Sequence, residues 1–125
     1  MIVEGKLASK EKADEIEKKL IDKGIKVNHL LIKDSEKILI ALEPGELGRA
    51  IEHILGYYYI QELASMLPII ALEPKSNEII LDLCSAPGSK TTQLASGMQN
   101  TGTIIANEVA LSRISILASN LERCG

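Results

Sequence analysis

The stretch that decides the fold is Ile79-Ile80-Leu81-Asp82-Leu83-Cys84-Ser85-Ala86-Pro87-Gly88-Ser89-Lys90-Thr91. Its first five residues form a short and almost continuous apolar run, which is typical of a strand that is buried on both faces of a parallel sheet. Pro87-Gly88-Ser89 predicts a loop, and residues 90–98 predict a helix. The segment therefore predicts a strand, a loop and a helix in direct succession.

The next residues repeat this order. Asn100-Thr101-Gly102 predicts a turn, residues 103–107 predict a second strand with an apolar centre, and residues 111–123 predict a helix. A strand-helix-strand-helix order with tight loops indicates parallel strands joined by right-handed crossovers. The predicted fold class is α/β, a βαβα unit.

The residues before this unit predict a smaller α+β region over residues 1–53. Residues 9–23 carry a modest apolar stripe and predict a helix, which Gly24 can end in a left-handed conformation. Residues 25–32 and 37–42 predict two strands, and the polar residues between them indicate a β-hairpin.

The remaining segment, after a break at Pro44-Gly45, predicts two helices over residues 47–55 and 61–72. Pro68 lies inside the second of these, which predicts a kink or an early stop. We expect the second part of the chain to cover residues 54–125.

The candidate site lies where the two parallel strands end, because ligands bind beyond the carboxyl ends of such strands. Gly88 lets the backbone pass close to a ligand, and the N-terminus of the next helix favours an anionic group. Glu108 ends the second strand, 20 residues after Gly88. An acidic side chain there can accept hydrogen bonds from ribose hydroxyls. The layout indicates a cofactor that contains ribose.

Two common nucleotide sites do not fit this loop. It has one glycine and lacks the G-x-G-x-x-G pattern of most dinucleotide folds, which disfavours NAD and FAD. A triphosphate-binding loop needs a first glycine where Leu83 or Cys84 stands, so ATP or GTP bound in that manner is disfavoured.

Three segments resemble motifs of one enzyme family. Residues 82–94 read DLCSAPGSKTTQL and resemble the D-x-C-A-A-P-G-G/S-K-T motif of the RNA cytosine-5 methyltransferases of the Nop/Sun type. Residues 56–68 read GYYYIQELASMLP and are similar to the G-Y-Y-x-Q-E-x-x-S-M-x-P segment of that family. Residues 100–108, with Arg113 and Asn120 after them, fit the next motif. The matches occur in the family's order and cover residues 54–125.

The resemblance implies a Rossmann-like fold that binds S-adenosylmethionine, of which this chain holds the first βαβα half. It implies methyl transfer to C5 of a cytosine in tRNA or rRNA, so RNA is the expected partner. Glu108 would hold the ribose hydroxyls, and Arg113 would line the cofactor site. The loop would hold the methionine end of the cofactor, largely through backbone groups, with the residues Cys84, Ser85, Ala86, Pro87, Gly88, Ser89 and Lys90.

The family's catalytic residues have no counterpart in this sequence. Members resemble one another in using a cysteine nucleophile in a T-C-S motif, a second cysteine in a P-C motif, and a nearby aspartate. None of these motifs occurs here. We therefore expect no catalytic residue in this chain and no activity by the chain alone. The alternatives are a non-enzymatic module that binds cofactor or RNA, and one half of a split enzyme with a separate C-terminal half.

The other reactive residue types have simpler interpretations. Cys84 is interpreted as a small buried residue of the cofactor loop rather than a nucleophile, and Cys124 as a structural or incidental residue. His29 and His53 are interpreted as surface or satisfied residues, and no metal site is expected. The run Tyr57-Tyr58-Tyr59 could stack on RNA bases, but packing between the small domain and the methyltransferase core is favoured.

Composition sets outer limits on these interpretations. The 125-residue chain has a net charge of −3, which argues against a strong non-specific grip on nucleic acid phosphates. It contains no run of 18 apolar residues and starts without the pattern of a signal peptide. Its two cysteines lie 40 positions apart, so a disulfide framework is not expected. A cytoplasmic protein that does not contact membranes is the expectation.

Overall fold

The structure is a computed structural model that describes residues 2–5, 10–33, 36–41 and 44–125, with side chains described over 14–27 and 47–125. The chain divides into two compact units, Met1–Leu63 and Ala64–Gly125. The sequence analysis placed the division after residue 53. The later division arises because Tyr58–Gln61 forms a strand that pairs with Ile2–Gly5 and so belongs to the first unit.

Within its described residues, the first unit has an antiparallel sheet of four strands, β1 (Ile2–Gly5), β2 (Val27–Lys33), β3 (Glu36–Ala41) and β4 (Tyr58–Gln61). Their order across the sheet is β2-β3-β1-β4. The predicted hairpin is confirmed, because β2 and β3 pair antiparallel from Val27 opposite Ala41 onwards. Strands β1 and β4 were not predicted. The polar link between β2 and β3 lies outside the described residues.

The core of the first unit forms between helix α1 (Lys10–Asp22) and the sheet. Ile16, Leu20, Leu47 and Tyr58 are buried together there. Tyr58 is 1% exposed and donates its hydroxyl hydrogen to the Leu47 carbonyl at 2.8 Å. Tyr58 therefore packs in the core of the first unit, whereas the sequence analysis placed the tyrosine run at a domain junction.

The prediction of one continuous helix over residues 47–55 is wrong. The structure has a 3₁₀ helix at Pro44–Arg49 and a short helix α2 at Ile51–Ile54. Ala50 separates them, because its backbone is extended with φ −62° and ψ 141°. The prediction of helix α1 is confirmed to within one residue at each end, and Gly24 follows it with φ 78°, the left-handed conformation expected of it.

The second unit has the predicted βαβα order. Strands β5 (Ile79–Asp82) and β6 (Thr103–Ala106) pair in parallel, and each is followed by a helix, α4 (Ser89–Gly97) and α5 (Leu111–Cys124). The α/β fold class is thereby confirmed. Helix α3 (Leu63–Leu72) precedes β5 and contains Pro68. The helix continues beyond Pro68 to Leu72, so the early stop that was one of the two expectations does not occur.

The prediction that β5 is buried on both faces is wrong. Ile79 is 75% exposed and Leu81 is 54% exposed, and Ile105 opposite Leu81 is 53% exposed. Leu81 and Ile105 pair across the two strands on the same face as Ile79, so this face of the sheet is exposed. The buried apolar side chains come instead from the helices, from the loop after β5 and from the residue that follows α4. They are Met66, Ile69, Ala86, Leu94, Met98, Leu117 and Cys124. Among the described residues, no helix combines the length and the apolar character that a membrane crossing requires.

Candidate functional site

The loop after β5 is fixed to the end of β6. The backbone N–H and the hydroxyl of Ser85 both donate to the Asn107 carbonyl, at 2.9 and 2.7 Å. The Asn107 side chain in turn donates to the Leu83 carbonyl at 2.9 Å. These bonds join the carboxyl ends of the two strands, which is where the sequence analysis placed the site. Asn107 was not identified from the sequence, although its position at a strand end was a usable signal.

Gly88 forms the turn from the loop into helix α4. Its φ of 109° is a backbone conformation that residues with a side chain rarely adopt. A Cβ atom at Gly88 would also lie 3.2 Å from the Leu117 side chain. Helix α4 begins at Ser89 with no acidic residue in its first turn, so its N-terminal N–H groups are suited to an anionic group.

The first turns of α4 are held by side-chain hydrogen bonds. The Thr91 hydroxyl donates to the Asp82 carboxylate at 2.6 Å, and the Lys90 ammonium donates to the Ser65 hydroxyl at 2.8 Å. Lys90 is half-buried and Thr91 is buried. Lys90, predicted to line the site, is therefore engaged with helix α3, and Ser65 and Thr91 are contacts that the sequence analysis did not identify.

Glu108 presents an ordered carboxylate just after β6. One oxygen accepts a hydrogen bond from the Ala110 N–H at 2.9 Å, and the other lies 3.4 Å from the Arg113 guanidinium. The Ala110 N–H, and then the charge of Arg113, hold the pKa of Glu108 below its usual value, although desolvation of the carboxylate opposes them. Glu108 is therefore ionised at neutral pH, and an ionised carboxylate can only accept hydrogen bonds.

Arg113 connects Glu108 to the loop after β5. Its guanidinium donates to the Ala86 carbonyl at 2.6 Å while it faces Glu108. The structure therefore brings three of the predicted site residues together, namely Ala86, Glu108 and Arg113. Helix α5 contributes another contact to this loop, since the Asn120 amide donates to the Pro87 carbonyl at 2.9 Å.

The cysteines differ in burial. Cys84, interpreted from the sequence as a small buried residue, is exposed. Cys124 is buried. Within the part of the chain whose placement is described, no group of three His, Cys, Asp or Glu side chains converges as metal ligands would.

A family model, curated proteins and solved structures that match this chain all include methyltransferases. The model of the family "16S rRNA methyltransferase RsmB/F" matches residues 69–125. Ribosomal RNA small subunit methyltransferase F of Aliivibrio fischeri is 52% identical over 82 residues, which are 64% of this chain and 17% of that protein. The chain thus spans less than a fifth of the length of the curated relatives that it matches.

Solved structures extend the likeness to almost the whole chain. A methyltransferase homolog protein from Pyrococcus horikoshii is 34% identical with a TM-score of 0.83, over 99% of this chain and 40% of that one. The structure of NSun6 from the same organism with SFG is 31% identical with a TM-score of 0.62, over 75% of this chain and 26% of that one. The first of these similarities includes residues 1–53, in which the sequence analysis found no specific motif.

Proposed function

We propose that the chain belongs to the 16S rRNA methyltransferase RsmB/F family, whose model matches residues 69–125, and that it supplies the cofactor-binding part of an S-adenosylmethionine-dependent RNA methyltransferase. The reaction is methyl transfer to C5 of a cytosine in rRNA or tRNA, in the cytoplasm. The named relatives act on small-subunit rRNA, which favours rRNA as the substrate.

The observation that carries the proposal is the position of the Glu108 carboxylate relative to the loop after β5. Arg113 links the two, so an ionised acceptor and a glycine turn lie at the same edge of the sheet. A carboxylate in this place can accept hydrogen bonds from both hydroxyls of a ribose. One solved relative was determined with SFG, an analogue of S-adenosylmethionine, which supports the same cofactor here.

The chain's own residues fit that cofactor by their chemistry. The N-terminus of α4 would attract the carboxylate of its methionine end, and Gly88 leaves space for the backbone to approach it. Arg113 would line the site from α5. The cofactor supplies the methyl group when it is bound. The remaining loop positions would contribute mainly backbone groups, and they are Cys84, Ser85, Ala86, Pro87, Ser89 and Lys90.

Methyl transfer needs residues that this sequence does not contain. The T-C-S and P-C motifs that carry the cysteines of the resembling family are absent. We therefore expect no methyl transfer to RNA by the 125-residue chain alone, and transfer only when a protein that carries both motifs is present. Such a separate C-terminal half would also have to supply a basic RNA-binding surface, because the net charge of this chain is −3.

A calorimetric titration of the chain tests the cofactor. S-adenosylmethionine should bind, and ATP and NAD should not. Glu108→Gln keeps the shape of the side chain but removes its charge, and it should weaken binding about 10-fold or more, since a hydrogen bond to a charged group contributes about 1.5–3 kcal/mol. Glu122→Gln, an exposed change on α5, should leave the affinity unchanged. Equal binding of ATP, or equal effects of the two variants, would refute the proposal.

A non-enzymatic module that binds the cofactor or RNA is the second candidate. The two candidates differ in one measurement. A module binds the cofactor but gives no product with any partner. One half of an enzyme gives methylated RNA when a protein with the missing motifs is added to the chain, RNA and cofactor.

A further inference from the structure

Three residues of α5 contact the loop after β5 along one face of the helix. Arg113, Leu117 and Asn120 follow one another at intervals of four and three residues, which places them on the same side of an α-helix. Arg113 donates to the Ala86 carbonyl, and Asn120 donates to the Pro87 carbonyl. Helix α5 therefore binds two consecutive carbonyl groups of this loop.

The orientation of the Asn120 amide follows from its second contact. Its oxygen Oδ1 lies 3.5 Å from the Arg123 guanidinium, which can only donate. The amide nitrogen is consequently turned to the Pro87 carbonyl, at 2.9 Å. The Asn120 amide therefore donates to the loop and accepts from Arg123 of its own helix, which fixes both its nitrogen and its oxygen.

The bond to Pro87 has a consequence for the next residue. The peptide unit between Pro87 and Gly88 is planar, and in a trans peptide the N–H points opposite to the C=O. Because Asn120 draws the Pro87 carbonyl toward α5, the Gly88 N–H points away from α5. Gly88 has no side chain that could shield this N–H from a ligand.

We propose that Asn120 is a positioning residue for cofactor binding, which fixes the Pro87–Gly88 peptide so that the Gly88 N–H faces the bound cofactor. This inference rests on the proposed function. Arg113 has a related role at Ala86, but it also pairs with Glu108, so its removal would change two parts of the site. Asn120 is uncharged and makes one hydrogen bond to the loop, so its substitution changes fewer polar contacts of the site than substitution of Arg113.

The test compares Asn120→Ala, Asn120→Asp and Asn120→Gln with Ser119→Ala, an exposed neighbour on α5. S-adenosylmethionine binding is titrated at a temperature well below the unfolding midpoint of each variant, and the NMR resonance of the Gly88 amide is recorded without cofactor. Asn120→Ala should weaken binding about three- to tenfold, the effect of one ordinary hydrogen bond. Asn120→Asp should weaken it more, because a carboxylate faces the Pro87 carbonyl. Asn120→Gln keeps an amide donor and should recover part of the affinity.

The Gly88 amide resonance should shift in Asn120→Ala and Asn120→Asp, because the Pro87 carbonyl of the same peptide loses its donor, and it should stay in place in Ser119→Ala. An unshifted resonance in Asn120→Ala would overturn the inference, and so would a shifted resonance with unchanged affinity. A lower unfolding midpoint with unchanged affinity marks a purely structural residue and also overturns it. If the wild-type chain does not bind S-adenosylmethionine, the proposed function itself fails, and that result appears before any variant is compared.

Discussion

Thr91 donates its hydroxyl hydrogen to the carboxylate of Asp82 at 2.6 Å. The bond joins the first turn of α4 to the last residue of β5, and so it closes the loop that carries the candidate site. Thr91 is 3% exposed. The loop is therefore held at its base by one bond, at the end of β6 by Asn107, and along α5 by Arg113 and Asn120.

The Thr91 hydroxyl should contribute measurably to stability. Thr91→Val keeps the shape of the side chain and removes the donor, so we expect the free energy of unfolding to fall by about 1–2 kcal/mol. This is near or below the lower end of the range for bonds to charged groups, because Asp82 is partly exposed and can be rehydrated. Urea unfolding measures this. Thr103→Val, an exposed threonine, is the control and should change stability by less than about 0.5 kcal/mol. Equal effects of the two changes would contradict the assignment.

Lys23 should stabilise the first unit through Glu52. Its ammonium donates to both carboxylate oxygens, at 2.6 and 2.7 Å, and Glu52 is 6% exposed. Lys23→Met leaves that buried carboxylate without this partner, so we expect a loss of about 2 kcal/mol at neutral pH. Lys18→Met, an exposed lysine of α1, should cost much less.

The effect of Lys23 should depend on pH in one direction. The hydrogen bond from Lys23 is the main reason that the pKa of Glu52 lies below its ordinary value. A carboxyl group with a lowered pKa stabilises the folded state above its unfolded pKa, and this contribution is lost as the pH falls through the folded pKa. The difference between wild type and Lys23→Met should therefore be constant near neutral pH and shrink in acid. A difference that is the same at pH 3 and pH 7 would show that the ion pair is not its source.

Substitution of three glycines by Ala distinguishes the stability lost to backbone strain from the stability lost to steric overlap. Gly88 has φ 109°, and a Cβ atom there would lie 3.2 Å from its nearest neighbour, whereas Gly24 has φ 78° and open space, and Gly48 has open space without a positive φ. We expect the loss of stability on substitution by Ala to decrease in the order Gly88, Gly24, Gly48, with roughly 1 kcal/mol for Gly24 from backbone strain alone. Thermal unfolding of the three variants measures the order. A Gly88→Ala variant as stable as Gly48→Ala would show that the turn can change its conformation.

Local sequence patterns were sufficient for the second unit. Each element from β5 to α5 is contiguous in sequence and lies next to its partner, so the apolar runs and the single glycine turn predicted its order correctly. The resemblance then identified the cofactor class. The patterns could not predict side-chain burial, because the exposure of Leu81 depends on whether another element covers that face of the sheet.

Long-range pairing accounts for what the sequence analysis missed. Strand β4 exists because Tyr58 and its neighbours pair with β1 near the start of the chain, and no local signal in a run of three tyrosines indicates this. The contact from Asn120 to Pro87 spans 33 positions. Its partner is a carbonyl, which every residue carries, so no residue type in the loop points to it.

The open face of the β5–β6 sheet should make the isolated chain associate. Leu81 and Ile105 are paired across the two strands and point to the same face, where Ile79 is also exposed. Apolar side chains exposed side by side on a short sheet favour contact with other apolar surfaces. We expect concentration-dependent association in sedimentation velocity, and binding of a dye that reports apolar surface. Leu81→Lys should reduce both, because the charge lies in the middle of this face, while Leu111→Lys introduces the same charge at an exposed position of α5 and should reduce them less. Association that is equally sensitive to the two substitutions would place the contact elsewhere on the chain.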